Sequence, residues 1–119
     1  MVVAKEFDET VLTRLEKIGG LPLVRRMLDL FLEHAPQRLE SARLGCQTGD
    51  MDAVSRAAHS LKSSAGHLCL VVLQELAEDM ERLATAAQHE GLVGKLRDLE
   101  EAFARVTPVL TQHRSALGG

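Results

Sequence analysis

Between Val24 and Ala42 apolar side chains return every three or four residues, at Val24, Met27, Leu28, Phe31, Ala35, Leu39 and Ala42. A helix with one buried face meets that spacing, whereas a strand would alternate every second residue. The spacing returns at Leu73, Leu76, Ala77, Met80, Leu83, Ala84 and Ala87, and again at Leu92, Leu96, Leu99, Phe103, Val106 and Leu110. With 3% aromatic residues and no Trp or Tyr, the core has to be filled by Leu, Val, Ala and Met, a set that favours helices. The expected fold is all-α, and 119 residues suit a single domain, residues 1–119, with one modest core.

The breaks between these stripes set the topology. Asp8 reads as an N-cap, with Glu9 in the first turn and Phe7 placed to staple against Leu12, and Gly19-Gly20 stops this short N-terminal helix. Pro22 suits the first turn of a long helix running to about Thr48, kinked rather than broken at Pro36. Asp50 is the expected N-cap of the next helix, which runs to about Leu68. The helix after that ends before Gly91, and the last is expected to bend or fray at Pro108. Connections this short make consecutive helices antiparallel neighbours, so the architecture expected is an antiparallel four-helix bundle with an additional short N-terminal helix.

Several function classes fall away. The net charge of -3, with both signs interspersed, leaves no basic patch for a nucleic-acid backbone. No apolar run approaches the roughly 20 residues that span a bilayer, and the opening MVVAKEFDET has no signal-peptide hydrophobic region, so a cytoplasmic protein with no membrane partner is expected. Cys46 and Cys69 form no Cys-x-x-Cys pair and read as small buried or half-buried side chains. His34, His59, His67, His89 and His113 share no i, i+3 or i, i+4 pair, so no single-helix metal site is expected.

The segment AAHSLKSSAGHL, residues 57–68, sets a histidine among alanine, serine and glycine. Taking Val54 as origin and about 100° per residue, Ala57, Ala58, Leu61, Ala65 and Leu68 lie within roughly 60° of it and face the core. His59 then lies at about 140°, Ser63 at about 180°, Gly66 at about 120° and Ser55 at about 100°, all toward solvent. Ser55, Ser63 and Gly66 leave a low strip around the imidazole that a partner helix can approach, and Lys62, at about 80°, brings positive charge beside it. Spacing alone also fits an ordinary solvated histidine with serines as surface filling. His59 and Ser63 as base and nucleophile would lack an orienting acid and an oxyanion donor, and His67, about 80° and two turns away, reads as a surface residue.

AHSLKSSAGHL resembles the signature of histidine-containing phosphotransfer (HPt) domains, in which an Ala-His-x-Leu-Lys-Gly/Ser-x-Ala/Ser run carries a phospho-accepting histidine. FDETVLTRL, FLEHAPQRLE, the Gly-Asp before the histidine helix and MERL in the following one also look like the family pattern, over nearly the whole chain. The resemblance implies that His59 is phosphorylated, that Lys62 neutralises the phosphoryl group, that Ser63 fills a small position needed for access, and that Glu81 orients the ring. Ser63 stands where the family commonly has Gly. Cys69 stands where it usually has a left-handed Gly, a conformation costing a cysteine about 1 kcal/mol or more, so a different helix end is expected here.

The reaction so implied has neutral His59 attack an aspartyl phosphate on a response-regulator receiver domain and return the group to another receiver. The Mg²⁺ of that reaction would belong to the receiver, and the chain itself would need no cofactor. The receiver's acidic pocket would favour Lys62 and Arg56, and a hybrid sensor histidine kinase is a further partner class. With no glycine-rich nucleotide loop, no autonomous kinase activity is expected, and the module is expected to be a monomer. Two alternatives stay open: a phosphorylation-silent adaptor that only docks receivers, and a separated substrate domain of a sensor kinase.

Overall fold

In the computed structural model, which describes residues 7–118, the chain forms four helices: α1 (Thr10–Thr48), α2 (Met51–His67), α3 (Val71–Thr85) and α4 (Leu92–Leu117). No strand occurs among the described residues. Within α1, Gly20 alone leaves helical geometry, at φ 72° and ψ -175°, a left-handed φ that a residue without Cβ adopts at little cost. The short N-terminal helix and the long helix after it are thus two arms of α1, divided at the Gly19-Gly20 pair. The helix continues through Pro36, where no break occurs. It begins at Thr10, two residues after Asp8, whose carboxylate accepts from the Thr10 backbone N–H at 3.0 Å and the Thr10 hydroxyl at 2.8 Å.

Each helix packs on those before and after it, and α4 returns to α1, while the diagonal pairs make no close backbone contact among the described residues. That is the up-down arrangement the short connections require. The core is aliphatic, with Leu28, Leu68, Leu70, Met80, Leu92, Leu99, Leu110 and Val54 fully buried. Its two central aromatics, Phe31 of α1 and Phe103 of α4, stack at 5.7 Å between ring centroids. Phe7 is buried and meets the His113 ring edge-on at 5.5 Å, so the start of the chain is tied to the end of α4. No described helix is long and apolar enough to cross a membrane.

Three expectations about helix ends are corrected. The last helix does not fray at Pro108 but continues to Leu117. Ala87, which spacing assigned to the core stripe of the third helix, is exposed: α3 stops at Thr85, and Ala87 turns left-handed at φ 55°. The Ala87 N–H donates to the Ala84 carbonyl and the Gln88 N–H to the Leu83 carbonyl at 2.8 Å, bonds that stop the helix whatever the apolar pattern. At the end of α2, Cys69 keeps the left-handed conformation, at φ 52°, that its side chain was expected to disfavour. Its N–H donates to the Gly66 carbonyl at 3.1 Å and the Leu70 N–H to the Ala65 carbonyl at 2.9 Å, while Leu70 is fully buried. Two satisfied carbonyls and one buried leucine outweigh about 1 kcal/mol of backbone strain.

The expected register of α2 holds: Val54, Ala57, Ala58, Leu61 and Ala65 are buried, and His59 and Ser63 are exposed. Leu61→Ala should therefore lower unfolding free energy by about 2 to 5 kcal/mol and Ser63→Ala by less than about 1 kcal/mol. A denaturant titration in which the two lose equal stability would contradict this register.

Candidate functional site

The site is built outward from the α2 stripe. Asp50 caps the helix, its carboxylate accepting from the Ala53 N–H at 3.1 Å, and this fixes where α2 begins. From there the buried stripe turns His59 away from the core, with 62% of its side chain exposed in the middle of the helix. On α3, Leu73, Ala77, Met80 and Ala84 face inward. Glu81, next after Met80, is thereby set at the edge of α3 that borders α2.

Glu81 brings the site together. Its Oε2 lies 2.9 Å from His59 Nδ1, and its Oε1 accepts from Lys62 Nζ at 2.8 Å. An ionised carboxylate has no proton to give, so the Nδ1 contact requires that this nitrogen carry the hydrogen. In the neutral ring the lone pair then belongs to Nε2, which has no partner among the described residues. The hydrogen bond from Lys62 holds the Glu81 carboxyl below the usual carboxylate range, helped by the bond from His59 and opposed by partial burial. The same carboxylate, with a smaller contribution from Glu78, raises the Lys62 ammonium above its ordinary value.

The small residues around the ring differ in exposure. Ser63 is exposed. Ser55 is half-buried and its hydroxyl lies 3.2 Å from that of Thr85 on α3. Gly66 is half-buried too, and a Cβ there would come within 3.2 Å of Gln74 Nε2, so its missing side chain makes room for Gln74. Arg56 is exposed and pairs with Asp52 at 3.2 Å, one turn back on α2. On the other flank of α2, a groove shared with α1 is lined by Phe31, His34, Arg38, Ser60, Ser64 and His67.

Helical spacing within α2 pointed to His59, Lys62 and the small strip, and the family pattern pointed to Glu81. That Lys62 is held by Glu81, and that Gln74 and Thr85 flank the strip, depends on how α3 lies against α2. Nothing in the spacing of either segment carries that information. His34 and Arg38 likewise join the surface only through the packing of α1 on α2.

Chemically, the arrangement offers one outward ring nitrogen with a lone pair, one ammonium beside it and one carboxylate fixing both. It suits nucleophilic attack on an electrophile delivered from outside, because the ring lies open at the surface, with 62% of the His59 side chain exposed. Among the described residues no three His, Cys, Asp or Glu side chains converge as a metal site would need.

The comparisons with known proteins agree with this chemistry. A family model described as Hpt domain matches residues 26–113. The structure is similar to the crystal structure of histidine-containing phosphotransfer protein B (HptB) from Pseudomonas aeruginosa PAO1, with a TM-score of 0.88 and 25% sequence identity, covering 96% of this chain and 98% of that one. No curated protein sequence matches the chain.

The shared carboxylate gives a signed pH expectation. Because the carboxyl of Glu81 is lowered in the fold, the stability it contributes is present above the ordinary glutamate value and is lost as pH falls through the lowered one. In an NMR titration the Glu81 side-chain carboxyl should have its midpoint below the ordinary value of about 4.3, and Lys62→Ala should raise that midpoint. A midpoint at or above the ordinary value, unmoved by Lys62→Ala, would contradict the ion pair.

Proposed function

Because the chain belongs to the Hpt domain family and so serves as a histidine phosphotransfer intermediate of two-component phosphorelay, we propose that His59 is the residue that carries the phosphoryl group. One observation supports this above all others: the His59 ring is 62% exposed, with Nδ1 engaged by Glu81 at 2.9 Å. Its nucleophilic nitrogen, Nε2, is therefore the one left for an incoming phosphorus atom.

In this reading His59 Nε2 attacks the phosphorus of an aspartyl phosphate on a receiver domain. The new N–P bond forms as the P–O bond breaks, and the electron pair returns to the receiver's aspartate. The reverse sequence, on a second receiver, passes the group on. Phosphoryl transfer needs mostly alignment and charge stabilisation, and this surface supplies some of each. Glu81 aligns the ring by holding Nδ1–H. Lys62, whose ammonium lies 2.8 Å from Glu81, neutralises charge on the transferred group.

Receiver domains are the partners proposed, directly or as part of a hybrid sensor kinase, with the module acting as a cytoplasmic monomer. The exposed Ser63 keeps the approach to the ring low, and Arg56 offers a cation to an acidic receiver surface. The half-buried Ser55 and Gly66 contribute by keeping the α2–α3 seam flat, Ser55 through Thr85 and Gly66 by admitting Gln74.

Incubation of the purified domain with a phosphorylated cognate receiver should label it with an acid-labile, base-stable phosphoryl group. His59→Gln should abolish the label without unfolding the domain, since the side chain is exposed. Lys62→Ala should slow the transfer without preventing it, because solvent cations replace part of an electrostatic role. ATP alone should produce no label. A label that survives His59→Gln would remove His59 from the role. Receiver binding without any labelling would favour the docking-only adaptor, and labelling solely by an ATP-binding kinase module would favour the kinase substrate domain.

A further inference from the structure

The two oxygens of Glu81 are divided between two groups: Oε1 accepts from Lys62 Nζ at 2.8 Å and Oε2 meets the Nδ1 side of His59 at 2.9 Å. Holding the ring in place does not need a charge, because the neutral amide oxygen of a glutamine would accept from Nδ1–H equally well. What a carboxylate adds is a negative charge at hydrogen-bond distance from the ring. That charge matters most once the ring has become positive, and phosphorylation makes it so.

Building on the assignment of His59 as phosphoacceptor, we propose that the charge of Glu81 keeps the Nδ1 proton on the ring throughout the transfer cycle, so that phospho-His59 is a phosphoimidazolium and a ready phosphoryl donor. When the Nε2 lone pair forms the N–P bond, a ring that retains Nδ1–H becomes a cation facing Glu81. On donation the N–P bond breaks, its electron pair returns to Nε2, and the neutral Nδ1–H imidazole is restored with no proton having moved. A phosphorylated ring that had lost the Nδ1 proton would have to leave as an imidazolate, a far poorer leaving group. Glu81 thus acts as a positioning residue that also sets the charge state of the carrier.

Lys62 takes part in the same balance. In the resting network its ammonium offsets much of the Glu81 charge. A phosphoryl group on Nε2 presents a second anion beside that ammonium, and as Lys62 leans toward it more of the Glu81 charge acts on the ring. The charged groups facing the ring are few. Glu81 comes from α3 and Lys62 from the ring's own helix, with Glu78 of α3 acting on Lys62. Arg56 is occupied with Asp52, and Arg82 and Lys95 pair with Asp79 between α3 and α4. His34 and Arg38 of α1, with His67, line the groove on the other flank of α2.

The test compares phosphorylated wild type with Glu81→Gln, whose one amide oxygen can still accept from Nδ1–H while the charge and the second acceptor oxygen, the one that holds Lys62, are lost, and with Lys62→Ala, which loses the Lys62 contact but keeps the Glu81 charge. All three proteins are phosphorylated from a receiver, or from a small phosphoramidate where that is slow, and freed of donor. A ³¹P NMR titration from about pH 6 to 10 then follows the phosphorylated ring, alongside transfer rates to one acceptor receiver. The ratio of each variant's rate to that of the wild type cancels the receiver's own pH dependence. Glu81→Gln, but not Lys62→Ala, should lower the titration midpoint by at least about one pH unit, the shift expected from losing an opposite charge at this distance. Above the midpoints of both wild type and Glu81→Gln, the variant's transfer and its hydrolysis should both be about tenfold slower than those of the wild type, between the midpoints the difference should grow with pH, and below both the ratio should approach one. Coincident midpoints for wild type and Glu81→Gln and a ratio independent of pH would overturn the inference and leave Glu81 an orienting role alone. Absence of phosphate on wild-type His59 would instead show that the underlying assignment has failed.

Discussion

The site depends on the rotational setting of one helix. Val54, Ala57, Ala58, Leu61 and Ala65 of α2 are sunk into the bundle, and their burial fixes which way every other residue of that helix points. Small alanines in this stripe let α2 sit close to its neighbours, while Leu61 anchors it. Rotating α2 to hide His59 would expose that stripe and bury a lysine and serines, a change costing several kcal/mol. The imidazole is outward because the leucine and alanines are inward.

A second constraint comes from α3, which brings a single carboxylate against that outward face. Its setting is fixed in the same way, by Leu73, Ala77, Met80 and Ala84. Two independent core stripes therefore cooperate to place Glu81 within hydrogen-bond distance of both His59 and Lys62. Because the network lies on helices rather than loops, the contact between Nδ1 and Glu81 is set by the packing of α2 on α3, which would reduce the ordering that the proposed transfer requires. The rest of the neighbourhood stays low and open, as exchange with a large partner demands.

Much of this was legible along the chain. The α2 stripe, the Asp50 cap and the break at Gly19-Gly20 are local features, set by spacing and by residue types with narrow backbone preferences. What escaped local reading was of two kinds. The end of α2 near Leu68 was legible, but the left-handed turns at Cys69 and Ala87 are decided by carbonyl satisfaction, helped at Cys69 by the burial of Leu70, so the conformation of Cys69 and the stop of α3 short of Ala87 were not. Contacts across helices form the other kind. The family pattern suggested Glu81 beside His59, but its hold on Lys62, the Gln74 side chain against Gly66 and the Ser55–Thr85 pair exist only once α3 is docked on α2.

The central claim is that one ring nitrogen is engaged by Glu81 and the other receives phosphorus. Histidine-selective ¹⁵N labelling of the phosphorylated domain, read through ¹⁵N–³¹P coupling and the attached ring protons, tests both halves in one spectrum. The account predicts phosphorus on Nε2 of His59, with a proton still on Nδ1. Phosphorus on Nδ1, or on His34, His67, His89 or His113, would contradict it.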